Sequence, residues 1–374
     1  MPPLSAGSVA IGSIETRLLA PLRRAIMLPW WFAQLFTAAK SFERNSLIGS
    51  PVLNRWGLHA ARVKVAHRLA SARRHKLAGL ISAADREAFD RDGFVCRENF
   101  LPGDAFAALA AEIKAYRATP REIAEGDTIL RKIALDGRAL DRLPTLAALL
   151  RSPDWRGLVR YAGGSNAEPV MWVQSILRHA RPGPADPQTQ LHADTFHPTV
   201  KAWLFLTDVA EDSGPFTYVP GSHRLTDQRL AWERRTALSA RQSTNAETRQ
   251  GSFRIGAGEL AALGLGPPRA LAVPANTLVV ADTFGFHARG PSAGRSLRVE
   301  IWAYGRRSPF IPWTTLFPWT AAALGRRSLI AWRWGDLLER AGAKKHRWRA
   351  RAGVSAFDPP AAELQPAGPE AVKV

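Results

Sequence analysis

The chain has 374 residues, 46% of them apolar and 22% charged, with a formal net charge of +19. That apolar fraction supplies a full core for one large domain or two modest ones, and the charged fraction excludes a disordered polyelectrolyte and a polytopic membrane protein. The one cysteine, Cys96, excludes an intrachain disulfide framework and any multi-cysteine zinc or iron–sulfur site, and fits a reducing compartment.

The first 16 residues carry no Lys or Arg, and no small-residue cleavage site closes an apolar stretch, so no secretory signal is expected. Residues 17–84 read as helical, rich in Ala, Leu and Arg, with turn signals only around Asn45 to Asn54. Residues 1–84 hold 12 Lys/Arg against 2 acids. Within them the apolar run Ile26 to Ala39 has 14 residues, interrupted by Pro29 and Gln34. That is short of the roughly 20 a membrane span needs. It reads either as a helix in an interface plane, with Trp30 and Trp31 at headgroup depth, or as a buried core helix.

Ser82 is the expected N-cap of a helix over Ala83 to Arg91, with Asp85 three residues on. Gly93 ends that helix, and Phe94-Val95-Cys96 starts a short strand in which Cys96 is buried. Leu101-Pro102-Gly103 is a turn before a helix over Ala105 to Tyr116, and residues 118–168 give no clear pattern. Strands are expected at Val170 to Leu177, Thr199 to Val209, Phe216 to Val219, Ala270 to Val273, Thr277 to Ala281 and Ser296 to Tyr304. Gly/Pro turns between short strands suggest a sandwich, barrel or jelly roll. Leu225 to Arg249 is polar and reads as a helix or a lid over the site. Residues 85–288 balance 24 Lys/Arg with 24 acids, whereas residues 289–351 hold 14 against 3. Trp302, Trp313, Trp319, Trp332, Trp334 and Trp348 lie in this second basic flank, as Trp30, Trp31 and Trp56 lie in the first. Residues 352–374, rich in Pro and Ala, are expected to be a disordered tail.

His192-Ala193-Asp194 is the one His-x-Asp in the chain. In an extended segment, residues two apart point to the same face, so both side chains can reach one metal ion. His287, just after the apolar strand Thr277 to Ala281, is the best third ligand. Two histidines and one carboxylate on one face of an iron leave other positions open, the logic of the non-heme Fe(II) facial triad. Arg298 follows on the next strand, where a guanidinium can pair bidentately with a carboxylate. Arg295 is the alternative anchor, and Arg131 and Lys132 are candidates for a further contact to an anionic group. His223 reads as a turn residue, His197 as a substrate contact or a structural residue, and His179 is unassigned.

Roughly residues 80–305 resemble the phytanoyl-CoA dioxygenase family of Fe(II)/2-oxoglutarate oxygenases. Phe89-Asp-Arg-Asp-Gly-Phe-Val95 with Asn99-Phe-Leu101 resembles the family's opening segment. His192-Ala-Asp194 resembles its first iron motif, and Val219-Pro-Gly-Ser-His223 its turn between strands. Trp203 falls where the family often has a tryptophan lining the cosubstrate pocket, and His287 with Arg298 match the distal iron histidine and the 2-oxoglutarate arginine. The resemblance implies a mainly β core with α, a double-stranded β-helix (jelly roll) over residues 85–305. Outside the resemblance, the residues themselves read as a basic, Trp-containing helical extension over 1–84 and a helical Arg/Trp-rich extension over 306–351. The resemblance implies Fe(II) on His192, Asp194 and His287, 2-oxoglutarate against Arg298 and Trp203, and ascorbate as reductant. Ala193 departs from the polar residue often found there, without reaching the metal. Asp194 argues against halogenase chemistry, in which a small residue replaces the carboxylate.

The family leaves the substrate open, and the flanks carry the remaining hint. Basic residues mixed with Trp suit an anionic membrane surface, and hence a lipid or lipid-linked substrate. The expected localisation is cytoplasmic, peripheral on the inner face of a membrane. The alternative is a soluble hydroxylase of an acyl-CoA or small anionic metabolite. A nucleic-acid-binding protein is the reading from another class, unsupported by any zinc-finger or RNA-recognition signature. Equally, such flanks are the composition of a solvated basic face with core tryptophans.

Overall fold

In the computed structural model, which describes residues 25–360 apart from 182, 306, 316–326 and 344, the apolar runs pair as two antiparallel sheets. The larger has the order β1 (Phe94–Arg97), β8 (Leu278–Asp282), β5 (Val200–Phe205), β10 (Ser296–Gly305), β4 (Val170–Arg178), β3 (Thr128–Ala134), β2 (Arg121–Glu125) and β11 (Arg349–Ala350). The smaller has the order β7 (Arg269–Leu271), β6 (Phe216–Tyr218) and β9 (His287–Arg289). Isolated bridges from His192 to His287 and to Arg254 add the 191–194 segment to the smaller sheet. Between β4 and β10 the chain alternates between the sheets except at the consecutive pair β6–β7, the winding of a double-stranded β-helix.

The period of two explains how one strand serves both core and site. On β10, Val299, Ile301 and Ala303 join a core cluster with Leu146, Trp155 and Leu158 from the helices Pro144–Arg151 and Pro153–Gly163. The alternate residues Arg298 and Trp302 line the cavity between the sheets. Each fully buried Leu, Ile or Val contributes about 1.5–3 kcal/mol, so the helix-covered face anchors the sheet energetically.

Local signals fix the first elements. Ser82 accepts from Asp85 N and caps the helix Ala83–Asp92, and Gly93 ends it at φ 87°. The Leu225 to Arg249 stretch is chiefly the helix Asp227–Ser239, capped by Thr226. Its face is packed, with Trp232 buried and a buried Arg229–Glu233–His59 network tying it to the helix Leu58–Lys76. The apolar run Ile26 to Ala39 is helical over residues 25–34 and exposes Ile26, Leu28, Trp30, Phe32 and Phe36, so it is not a buried core helix. The expected helical content at residues 17–24 and the side chain of Trp319 lie outside the described residues.

The C-terminal region corrects one expectation. Residues 352–360 are packed rather than loose. Val354, Ser355 and Ala356 are buried, and β11 extends the large sheet beside β2. The cause is Arg131, which is fully buried and needs acceptors for its guanidinium. It donates to Glu122 at 2.7 Å and to the main-chain carbonyls of Ser355, Asp358 and Pro359 at 2.6–2.9 Å. The remaining tail residues, 361–374, lie outside the described residues.

Arg131→Met removes the close guanidinium from the buried Glu122, with Arg351 3.5 Å away. We expect a loss of about 3–5 kcal/mol in urea denaturation and faster protease cleavage within residues 349–360. Unchanged stability and cleavage would show that the arginine does not hold the segment.

Candidate active site

The 191–194 segment and β9 run antiparallel, and His192 and His287 are direct partners. His192 N donates to His287 O and His287 N to His192 O, both at 2.9 Å. This reciprocal pair places the two imidazoles side by side, with ring centroids 4.4 Å apart. Each ring is then pinned by the carbonyl two residues earlier. His192 Nδ1 donates to Gln190 O at 2.8 Å, and His287 Nδ1 to Gly285 O at 2.9 Å. With Nδ1 carrying the proton, both Nε2 atoms present lone pairs.

Asp194, two residues along, lies on the same face, with Oδ1 3.6 Å from each Nε2. Ligand atoms of the three residues fall within 4.8 Å of one another. His287 Nε2 is buried without a hydrogen-bond partner. A buried lone pair facing another lone pair and a carboxylate is unfavourable unless a cation sits among them. Two nitrogens and one oxygen suit a divalent transition metal with open positions. Ala193 points the other way, into a cluster with Phe253 and Phe286, as alternation requires.

Burial and charge set the protonation of His192 and Asp194. Burial, reinforced by His287, pushes His192 down to about 4, so its ring is neutral at physiological pH. Burial alone would raise Asp194. Lys201, with Nζ 2.7 Å from Oδ2, instead holds it well below the usual carboxylate range. Lys40 donates to the main-chain carbonyl of Asp194. It is delivered there by Arg62, whose buried guanidinium binds the carbonyls of Leu35, Thr37 and Ala39. Burial lowers Arg62 to about 9. Gly285 is equally specific. A Cβ there would lie 1.8 Å from Tyr218 Oη, which donates to Asp282 O at 2.7 Å.

The triad histidines open into a cavity of about 210 Å³ that Lys132, Lys201, Trp203 and Arg298 also line. Arg298 is buried, donating from Nε to Glu300 at 2.9 Å and from Nη1 to Gly214 O at 2.5 Å. Its Nη2 has no hydrogen-bond partner among the described residues. Arg295 does not line the cavity. The indole of Trp203 packs on Phe216, centroids 4.3 Å apart. The Arg131/Lys132 pair divides by strand alternation. Arg131 faces away, and Lys132 enters the cavity over Trp172 and Trp302, 4.3 and 4.7 Å from their centroids. Burial lowers its ammonium to about 8. Arg289, also a cavity residue, is ion-paired with Asp186.

The other histidines lie outside this cavity. His179 bridges Asp127 and Ser292 O, both at 2.9 Å, in a left-handed conformation at φ 46°. His197 is buried, with Nδ1 3.0 Å from Pro198 O, a structural position. His223 sits in the turn against Phe89 and Gly93. Sequence reasoning missed Lys40, Lys201 and Gly285. A glycine two residues before His287 is the one local signal among them.

Burial holds His192 and His223 each near 4 and His67 well below its usual value. Unfolded histidines titrate near 6.5, so between about pH 6.5 and 4 the unfolded chain binds more protons and stability falls on acidification. Each such histidine contributes ~1.4 kcal/mol per pH unit in that window. For the metal-free protein, His223→Gln is expected to make the slope of unfolding free energy against pH shallower by one proton. An identical slope would refute the assignment. Gly285→Ala is expected to lower stability by about 1–3 kcal/mol and to weaken metal binding, read by thermal melting and by metal titration.

Residues 89–258 match the model of the phytanoyl-CoA dioxygenase (PhyH) family. The segment contains His192, Asp194 and Trp203 and ends before His287 and Arg298. An ectoine dioxygenase of Bordetella bronchiseptica is 29% identical over 163 residues, 40% of this chain and 52% of that protein. The Bordetella parapertussis ectoine dioxygenase is 28% identical over the same length and shares. The chain thus spans about half the length of the curated relatives it matches. Among solved structures, the non-heme alpha-ketoglutarate-dependent epimerase SnoN from nogalamycin biosynthesis is similar at a TM-score of 0.41 and 22% identity, covering 61% of this chain and 82% of that one. HygX from Streptomyces hygroscopicus, solved with nickel and 2-oxoglutarate, is similar at 0.39 and 18%, covering 60% and 87%. The match to the phytanoyl-CoA dioxygenase family model thus falls on the part of the chain that holds His192 and Asp194.

Proposed function

We propose that this protein is an Fe(II)- and 2-oxoglutarate-dependent dioxygenase that hydroxylates an unactivated C–H bond. The observation that carries the reading is the donor set of His192, Asp194 and His287, with its lone pairs facing one another, opening into a cation-rich cavity. Bound there, Fe(II) with 2-oxoglutarate and dioxygen supplies the oxidising chemistry. The chain's residues hold and orient. His192, Asp194 and His287 take one face of the ion and leave the other open. Lys201 keeps Asp194 ionised. Arg298 takes the far carboxylate of 2-oxoglutarate through its free edge, and Lys132 supplies a second cation in the same cavity. Trp203 and Phe216 form an apolar wall that excludes water.

The test is an anaerobic titration of metal-free protein with Fe(II) and 2-oxoglutarate, following the visible charge-transfer band of the chelate. We expect a band that disappears in His192→Ala and Asp194→Ala; its absence in folded wild-type protein would overturn the reading. Arg298→Lys keeps a charge beside Glu300 but loses the planar fork. It is expected to raise the 2-oxoglutarate requirement at least tenfold while leaving Fe(II) affinity unchanged. Ascorbate is included as the expected reductant, and turnover with and without it measures that dependence.

For the substrate we propose a lipid or lipid-linked molecule met at an anionic membrane surface, on the cytoplasmic side. Exposed apolar side chains support this. Trp30 is 59% and Trp56 81% exposed, beside Ile26, Phe32 and Phe36. On the helix Arg327–Arg340, Ile330, Trp334 and Leu337 repeat at i, i+4 and i+7 and are exposed. Apolar faces within basic flanks suit binding in the interface plane. Among the described residues no helix is long and apolar enough to cross a membrane. Wild-type protein is expected to pellet with vesicles containing phosphatidylglycerol at low salt, and Trp30→Ser/Phe32→Ser to remain in the supernatant. Wild type in the supernatant on both neutral and anionic vesicles would instead favour an acyl-CoA or small anionic metabolite. A salt-titrated gel shift with DNA or RNA tests the nucleic-acid alternative.

A further inference from the structure

A second cleft shares no lining residue with the triad cavity and has a volume of about 1010 Å³. One wall is a single face of the helix Leu58–Lys76, where Lys64, Arg68, Ser71 and His75 recur at i, i+4, i+7 and i+11. The opposite wall is Arg224 to Asp227, where Thr226 caps the N-terminus of the 13-residue helix Asp227–Ser239.

The charges of this cleft are one-sided. Arg74 and Arg86 at its back are committed, Arg74 to Asp282 at 2.8 Å and Arg86 to Ala78 O at 2.9 Å. Lys64, Arg68 and Arg224 are exposed, and among the described residues none of them forms an ion pair. Arg224 makes only a long hydrogen bond, 3.4 Å from Nε to Gly221 O. The acids of the cleft are Asp90 and Asp227. Two imidazole nitrogens of cleft residues, His67 Nε2 and His223 Nδ1, are buried without hydrogen-bond partners.

Unpaired like charges drawn together in a concavity repel one another and concentrate an anion. Here they approach from two walls, one of which carries the N-terminus of a helix. One carboxylate satisfies one guanidinium fork. A phosphate, with two negative charges and tetrahedrally disposed oxygens, satisfies an ammonium, two guanidinium groups and a helix terminus at once. Leu225, Leu230 and Pro198 give the cleft an apolar side for the organic part of such a molecule. We propose that this cleft binds a phosphate-bearing ligand, a phosphate monoester or diphosphate, held by Lys64, Arg68 and Arg224. The site is separate from the triad and does not depend on the iron reading.

The probe is inorganic pyrophosphate, titrated calorimetrically into the metal-free full chain at low salt. Saturable binding is expected. It should weaken at least tenfold in Lys64→Glu/Arg68→Glu and severalfold in Arg224→Ala. Arg138→Glu, an exposed charge reversal elsewhere, should change it less than twofold. The Fe(II)/2-oxoglutarate band, measured separately on each variant, should match that of the wild type. Thermal melting checks folding, and Arg68→Gln, a milder change, should give an intermediate loss. Absence of saturable binding at millimolar pyrophosphate, equal binding by the double variant, or an equal loss in Arg138→Glu would each overturn the proposal. Phosphatidylcholine vesicles with and without phosphatidic acid identify the source. Loss of vesicle binding in the double variant assigns a lipid headgroup, and its retention assigns a soluble phosphate ester.

Discussion

The reciprocal hydrogen bonds between His192 and His287 are the constraint on which the site depends. Directly paired residues on antiparallel strands project to the same side, so this one pairing sets the imidazole separation before any metal arrives. The chain reinforces it symmetrically. Each Nδ1 is held by the carbonyl two residues earlier, which fixes both the tautomer and the ring rotation. Asp194 follows from the same period of two. Its neighbours then become comprehensible as supports. Gly285 lets its carbonyl reach His287 while Tyr218 passes close by, and Lys201 offsets the cost of a buried carboxylate.

This also explains which parts of the site were legible in the sequence. His192 and Asp194 were readable because their relation is local. His287 and Arg298 were readable because an apolar strand beside each limits where its side chain can point. Lys201 sits on β5, and an ion pair with Asp194 depends on how far the intervening segment turns. Lys40 lies 154 residues from its partner. No local pattern encodes that distance. Arg131 and Lys132 were recognised as a pair, but the face each takes depends on the register of β3 against β4, set by the whole sheet.

The C-terminal residues fail differently. Pro/Ala-rich composition signals a chain with little to bury, yet Val354, Ser355 and Ala356 are buried and Phe357 packs on the core. What Arg131 needs, however, is main-chain carbonyl oxygen, which every residue offers. Composition carries no information about that demand. Buried guanidinium groups do the same work elsewhere. Arg73 binds the carbonyls of Gly164, Pro309 and Ile311, and Arg62 those of Leu35, Thr37 and Ala39. In each case an arginine from one element organises a length of irregular chain.

That use of arginine changes the meaning of the net charge. The helix Leu58–Lys76 reads as uniformly basic, yet its cations divide by face. Arg62 and Arg73 turn inward and are consumed by carbonyls, so burial lowers them to about 9 and 10 without any acid beside them. Lys64 and Arg68 turn outward and face an opposing wall that presents Arg224. Arg73 ties the flank to Gly164, Arg62 orders residues 35–39 within the flank, and Lys40 carries the attachment on to the backbone of Asp194. A basic flank that only coated the surface would have no reason to reach the site. This one is built into it, so the outward cations are held at fixed positions relative to the triad.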